Sequence, residues 1–189
     1  MENKKKSKKK NEIWEWTKAL LIAVVLAVVI RSFLFEPVVV NGQSMMPTLH
    51  NQDRLILNKI SKPKRFDIIV FHATKTDNYV KRVIGLPGDR IEYKNDTLYI
   101  NGKAYKEPYL APYKKMYKEQ YGNNTLLTEN FKLKDVIGRD TVPKGTVFVL
   151  GDNRRNSRDS RMIGVVPMDK IIGKANVLFW PLSDFKFIK

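Results

Sequence analysis

The chain has 189 residues, 43% of them hydrophobic, enough for one modest globular core with an appendage and too few for several ordinary domains. Its 29% charged and 11% aromatic residues fit neither a disordered nor a collagenous chain; zero Cys excludes disulfides, thiolate metal sites and cysteine nucleophiles, and only two histidines, His50 and His72, count against a zinc centre. The net charge of +16 leaves nucleic acid, anionic lipid and an acidic wall polymer as partner classes.

Residues 1–12 form a basic tail. Lys4, Lys5, Lys6, Lys8, Lys9 and Lys10 stand with no apolar residue among them, the pattern of a disordered, solvated segment. Every residue of 19–30 is then apolar, and with its flanks the segment 13–35 forms a helix about 35 Å long against about 30 Å of hydrocarbon. Trp14, Trp16 and Lys18 suit one interface and Arg31 the other, so 13–35 is expected to be a transmembrane anchor. A buried core helix and a cleavable secretory signal compete with this reading. The polybasic flank argues against the first, and the lack of a small-x-small pair in 31–37 argues against the second. The positive-inside rule puts the tail in the cytoplasm and residues 36–189 outside, at the cell membrane.

Beyond Pro37 short runs rich in β-branched and aromatic residues predict strands at 38–40, 54–57, 68–71, 79–84, 97–100, 146–150 and 175–180. Asn101-Gly102 predicts a type I′ hairpin to 103–105, because both central residues need positive φ. Residues 93–145 are Lys-rich and carry seven tyrosines, and read as an inserted subdomain in a β-rich core of 36–92 and 146–189. Tyr105, Tyr109, Tyr113, Tyr117 and Tyr121 recur every four residues, which predicts a short helix over 113–121 and a packed aromatic stripe in preference to a base-stacking platform. The expected fold class is mainly β: an N-terminal transmembrane helix, then an antiparallel, barrel- or sandwich-like β-rich domain with a small inserted subdomain.

Three segments can carry chemistry. In Asn41-Gly42-Gln43-Ser44-Met45-Met46-Pro47, Ser44 is a nucleophile or a turn residue, and it lies within about 30 Å of the membrane boundary even in a fully extended chain. A serine needs a base. His50 and His72 have solvent-exposed settings, which leaves lysine. In 79–84 adjacent side chains point to opposite faces, so one of Lys81 and Arg82 is expected to face inward or into a cleft. Lys81 shares its face with Tyr79 and Val83, and apolar surroundings lower a lysine pKa; a base near about 7.5 needs roughly 4 kcal/mol of such preference. The alternative is an edge-strand lysine in water. In 151–161, Asp152, Asp159 and Arg161 either form a network that shapes a site, with Ser157 free to orient a neutral lysine amine, or belong to a solvated loop.

Together NGQSMMPTL (41–49), YVKRVIGLPGD (79–89) and GDNRRNSRDSR (151–161) closely resemble the ordered boxes of bacterial type I signal peptidases, in the Gram-positive, single-span form. With the anchor and Asp53-Arg54-Leu55-Ile56, the resemblance covers most of 19–181. It implies a membrane-bound Ser/Lys-dyad endopeptidase that removes signal peptides from exported preproteins, with Ser44 as nucleophile, Lys81 as general base and the Ser44 N–H as an oxyanion donor. Some relatives carry a serine where this chain has Gly42, which leaves the second donor unassigned. By the same analogy Ser157 supports Lys81, and Asp152, Arg154, Asp159 and Arg161 are structural supports. Small residues at −1 and −3 of the substrate would enter shallow pockets, for which Met45, Ile68, Val70 and Tyr79 are the expected lining. No metal or organic cofactor is implied, nor a nucleic-acid partner; anionic lipid is the expected membrane partner. The competing reading is a membrane-tethered, non-catalytic basic module that binds nucleic acid or a wall polymer, and it leaves the three boxes unexplained.

Overall fold

In the computed structural model, residues 2–188 are described. The first helix, α1 (Glu2–Phe33), runs without a break from the basic segment through the apolar run. No Gly or Pro precedes Pro37, and Lys, Glu, Ala and Leu are good helix formers, so nothing local stops it. The disordered tail expected at Lys4 to Lys10 is therefore corrected: its backbone is helical. Trp14, Trp16, Leu20, Leu21 and Leu26 are exposed on this helix, and Lys18 Nζ lies 5.3 Å from the Trp14 ring centre. The side chains of residues 2–11, 13 and 29–33, Arg31 among them, lie outside the described residues. Among the described residues no helix is long and apolar enough to cross a membrane, so the expected anchor at 13–35 is not seen as a span. The uninterrupted apolar run of 19–30 falls short of about 20 residues, and the expected span reached its length only through flanks that include Glu15 and Lys18.

The strands that follow are β1 (Phe35–Val39), β2 (Arg54–Asn58), β3 (Ile68–His72), β4 (Asn78–Gly85), β5 (Ile91–Lys94), β6 (Thr97–Ile100), β7 (Lys103–Tyr105), β8 (Phe131–Lys132), β9 (Thr146–Leu150), β10 (Val166–Pro167), β11 (Ile171–Trp180) and β12 (Lys186–Phe187). Helices α2 (Ala111–Tyr121), α3 (Leu133–Ile137) and α4 (Ser160–Ile163) interrupt them. An eight-stranded antiparallel sheet has the order β1-β2-β11-β3-β4-β9-β10, with β12 beside β11; a second sheet has the order β7-β6-β5-β8. The mainly β, antiparallel architecture is the one the strand pattern predicts.

Period-two alternation sorts the core. On β3, Ile68 and Val70 join Met45, Leu55, Leu57 and Val80 on one face, while Ile69 and Phe71 join Val83, Val147 and Val149 on the other. Both faces are covered, so β3 reads as a continuous apolar run. The two sheets share a third cluster, in which Ile84, Phe148 and Leu150 of the large sheet meet Tyr93, Leu98 and Ile100 of the small one. The Asn101-Gly102 hairpin has φ of 54° and 79°, as its type requires. Asn95-Asp96 makes an equivalent turn between β5 and β6, with φ of 49° and 60°. The helix predicted over 113–121 is α2, but none of its residues is buried, so its tyrosines are not a core stripe. The Tyr117 and Tyr121 rings meet at the surface with centres 4.6 Å apart and planes tilted by 45°, while Tyr105 and Tyr109, before the helix, pack on Phe66.

Candidate active site

Ser44 stands on the loop between β1 and β2, which is held by backbone bonds at its neck: Val40 N–H donates to Asp53 O and Gln52 N–H to Val40 O, each at 2.8 Å. Gly42 has φ of +96°, a value that favours glycine, and its N–H donates to Asn51 Oδ1 at 2.8 Å. From the far side of the sheet, Asn153 N–H donates to Ser44 O at 3.0 Å and its side chain to Gln43 O at 3.2 Å. Those bonds fix the peptide planes on either side of the serine. Among the described residues the Ser44 N–H itself makes no hydrogen bond.

β4 brings Lys81 to this loop. Its Nζ lies 2.7 Å from Ser44 Oγ and donates to Val80 O at 2.9 Å, and the residue is 3% exposed. The Tyr79 ring lies 5.2 Å away on the same face, as the alternation predicts. Burial pushes the Lys81 pKa down to about 8, against the charges of Asp159 and then Asp152, which favour the cation. A substantial fraction of the amine is therefore neutral at mildly alkaline pH, free to accept the Ser44 proton.

Lys81 is the cation that faces the cleft, and Arg82, next to it on β4, is enclosed as well, at 2% exposed. β4 is covered on both faces, and Arg82 meets Asp152 through Nε at 2.9 Å and Nη2 at 2.6 Å, a fork that satisfies both carboxylate oxygens. The Tyr109 ring sits 3.8 Å from its guanidinium carbon. Asp152 also accepts from Thr48 Oγ1, so one carboxylate ties β4, the serine loop and the 151–161 loop together.

Within 151–161, Asp152, Arg154 and Asp159 belong to a buried network, while Arg155, Asn156 and Arg158 are exposed. Asp159 accepts from Gly151 N–H at 3.0 Å and pairs with Arg161 at 2.8 Å, and Arg161 also donates to Arg154 O. Arg154 is fully enclosed. It donates to Gly151 O at 3.0 Å and to Glu107 Oε1 at 2.6 Å, and that oxygen accepts the Tyr93 and Tyr109 hydroxyls as well. Burial works against the Glu107 carboxylate, but Arg154 and these hydroxyls hold its pKa below the usual range. Arg154 also donates to Thr128 Oγ1 at 3.2 Å. Glu107, Tyr109 and Thr128 are not among the expected site residues: Glu107 and Thr128 are lone polar positions, and the four-residue recurrence that includes Tyr109 points to a packed stripe, not to a site. Ser157 Oγ is buried and makes no hydrogen bond among the described residues, so it does not touch Lys81 in this geometry. It packs instead against Gly151, where a Cβ would run into the Ser157 side chain and lie 2.5 Å from Ser44 O.

A cleft of about 240 Å³ opens over the pair, with Val40, Gly42 and Ser44 on one wall and Asn78, Tyr79 and Lys81 on the other. Tyr79 lines it as expected. Met45, Ile68 and Val70 do not: Ile68 and Val70 are buried because β3 lies between β11 and β4 with both faces covered, and Met45, on the serine loop, is buried in the same core cluster. His50 and His72 are exposed, as expected. Among the described residues no cluster of His, Asp or Glu is arranged to hold a metal ion.

A serine hydroxyl beside a desolvated lysine amine is the arrangement of a Ser/Lys hydrolase. A family model described as "Signal peptidase, peptidase S26" matches residues 13–180. The chain belongs to the signal peptidase family. It is 49% identical over 187 residues to signal peptidase I of Bacillus caldolyticus, covering 97% of this chain and 98% of that protein. It is 41% identical to signal peptidase IB of Staphylococcus aureus, strain MRSA252, over 94% and 95% of the two chains. A solved signal peptidase I from Enterococcus faecalis V583 superimposes with a TM-score of 0.56 at 44% identity, covering 61% of this chain and 97% of that one. Members of this family are membrane-anchored serine endopeptidases that cleave signal peptides from exported preproteins.

Proposed function

We propose that the chain cleaves signal peptides through Ser44 as nucleophile and Lys81 as general base. The observation that carries this is the 2.7 Å contact between Lys81 Nζ and Ser44 Oγ in a site buried enough to leave the amine partly neutral. Neutral Lys81 takes the Ser44 proton as Oγ attacks the scissile carbonyl carbon. The Ser44 N–H, free of other partners, faces the developing oxyanion. Collapse of the tetrahedral intermediate breaks the C–N bond, and the Lys81 ammonium returns the proton to the leaving amine. The same amine then deprotonates the water that hydrolyses the acyl ester.

The peptide lies extended in the cleft. β4 pairs with β9 only from Arg82 onward, so its edge over residues 78–81 is open to a substrate strand. Asp152, Arg154, Asp159 and Arg161 hold this geometry without touching the reacting atoms, and Ser157 takes up a bond to Lys81 when substrate fills the cleft. Residues 36–92 with 146–189 form the catalytic core and 93–145 the inserted subdomain. The chain is anchored once through 13–35, with residues 1–12 cytoplasmic and the catalytic domain outside. Exposed Phe35, Trp180, Leu182, Phe185 and Phe187 rest on lipid, anionic by preference given the basic body.

A preprotein with Ala at −1 and −3 tests the reading: it is cut after −1, and Leu at both positions abolishes cleavage. Unchanged turnover with Leu refutes the pocket model. For the lipid contact, Trp180 in a Trp14→Phe, Trp16→Phe background is expected to be quenched by brominated anionic lipid after reconstitution; no quenching removes that element.

A further inference from the structure

The four arginines of the 151–161 loop are not equivalent. Arg154, Arg155 and Arg161 each pair with a carboxylate, namely Glu107, Glu129 and Asp159. Arg158 pairs with none. Among the described residues it makes no ion pair, hydrogen bond or ring contact; it is exposed to solvent and, with Asn156, lines the cleft over Ser44 and Lys81. Among the described residues no Asp or Glu lines that cleft; besides Arg158 and Lys81 its polar lining is Asn, Gln, Ser and Tyr. Once Lys81 is neutral, the Arg158 guanidinium is the one permanent charge on the wall.

An unpaired guanidinium at the rim of a concave site makes its strongest hydrogen bonds to an anion with two oxygens. The protein supplies no such anion here, so the substrate is left to do so. Side chains of an extended peptide alternate between faces, and the −1 and −3 residues are small and neutral. The partner must then sit at −2 or just past the scissile bond.

We infer that Arg158 is a specificity residue that binds a carboxylate side chain, Asp or Glu, at −2, +1 or +2 of the preprotein. The inference rests on reading the cleft as the peptide-binding site. It gives the enzyme a preference that the small-residue rule does not contain, and the preference resides in a loop whose other arginines serve the fold.

The test uses full-length protein in detergent and one preprotein with Ala at −1 and −3, carrying Gln, Glu or Lys singly at −2, +1 and +2. At one position at least, wild type cleaves the Glu form with kcat/KM about twofold to fivefold above the Gln form, the range of an exposed ion pair, and the gap narrows in high salt. Arg158→Ala cuts Glu and Gln forms at equal rates, Arg158→Lys keeps part of the preference, and Arg158→Glu favours the Lys form. Wild type treating Glu, Gln and Lys alike at all three positions overturns the inference, as does a Glu preference that survives Arg158→Ala. If wild type fails on the Gln reference itself, or Ser44→Ala cuts it, the failure lies in the peptidase reading beneath.

Discussion

Glu107 Oε1 reaches Arg154 Nη2 at 2.6 Å, with the two side chains 2% and 0% exposed. The contact joins a 3₁₀ turn, Pro108–Leu110, to the loop that carries Asp152, Ser157 and Asp159. The Tyr-rich segment is thus clamped to the site, through Arg154 and through the Tyr109 ring on Arg82.

Glu107→Ala leaves the Arg154 cation buried without its partner, and is expected to cost about 3–5 kcal/mol of stability. The double change Glu107→Leu, Arg154→Met removes both charges and is expected to restore most of that loss. Urea unfolding of the three proteins checks it; a single variant within 1 kcal/mol of wild type would mean that the pair contributes little.

The pH profile follows from Lys81. Its amine must be neutral to act, so kcat/KM is expected to rise with pH through a midpoint of about 8. Asp159 and Asp152 both favour the cation, so Asp159→Asn is expected to move that midpoint down, whatever it does to the maximum rate. An acid limb that stays fixed near 10, the range of an ordinary lysine, would contradict the burial.

Stability should respond to the same group with a definite sign. The folded pKa lies below the unfolded one, so the unfolded chain binds more protons between about 8 and 10.5, and the Lys81 contribution to stability rises with pH across that window. Below pH 8 both states are protonated and the burial penalty is fully present. Lys81→Met is expected to be more stable than wild type at pH 7 and to lose that advantage by pH 11; a constant difference would refute the linkage.

Gly151→Ala places a methyl group against Ser157 and Ser44 O, on the chain segments that aim the nucleophile. Displacement of about 1 Å at such a site costs on the order of 100-fold, so kcat is expected to fall that far with KM little changed. Peptide kinetics measure it, and near-normal kcat would show that the loop yields without moving Ser44.

Much of this arrangement was legible in the sequence, and the exceptions have physical causes. Alternation along 79–84 put Lys81 beside Tyr79, and the Asn101-Gly102 turn announced its hairpin. The same alternation left Arg82 without an assigned environment, because its partner Asp152 is 70 residues away and only the fold brings the two together. Met45, Ile68 and Val70 are expected at the substrate wall because they lie on the serine loop and on the 68–71 strand, and nearness along the chain cannot distinguish a pocket lining from the core behind it. β5 carries no clear strand signal, because Glu92 and Lys94 lower the β character of a four-residue strand whose other two residues, Ile91 and Tyr93, are buried. The helical tail was misjudged because charge density argued for disorder, while the residues carrying the charge are themselves helix formers.

The most direct test is cleavage of a preprotein bearing an Ala-x-Ala site by full-length wild type, Ser44→Ala and Lys81→Ala in detergent, with product masses recorded. The dyad predicts one cut after the second Ala by wild type and none by either variant, both variants being folded by circular dichroism. A folded Ser44→Ala or Lys81→Ala protein that makes the same cut at a comparable rate would contradict it.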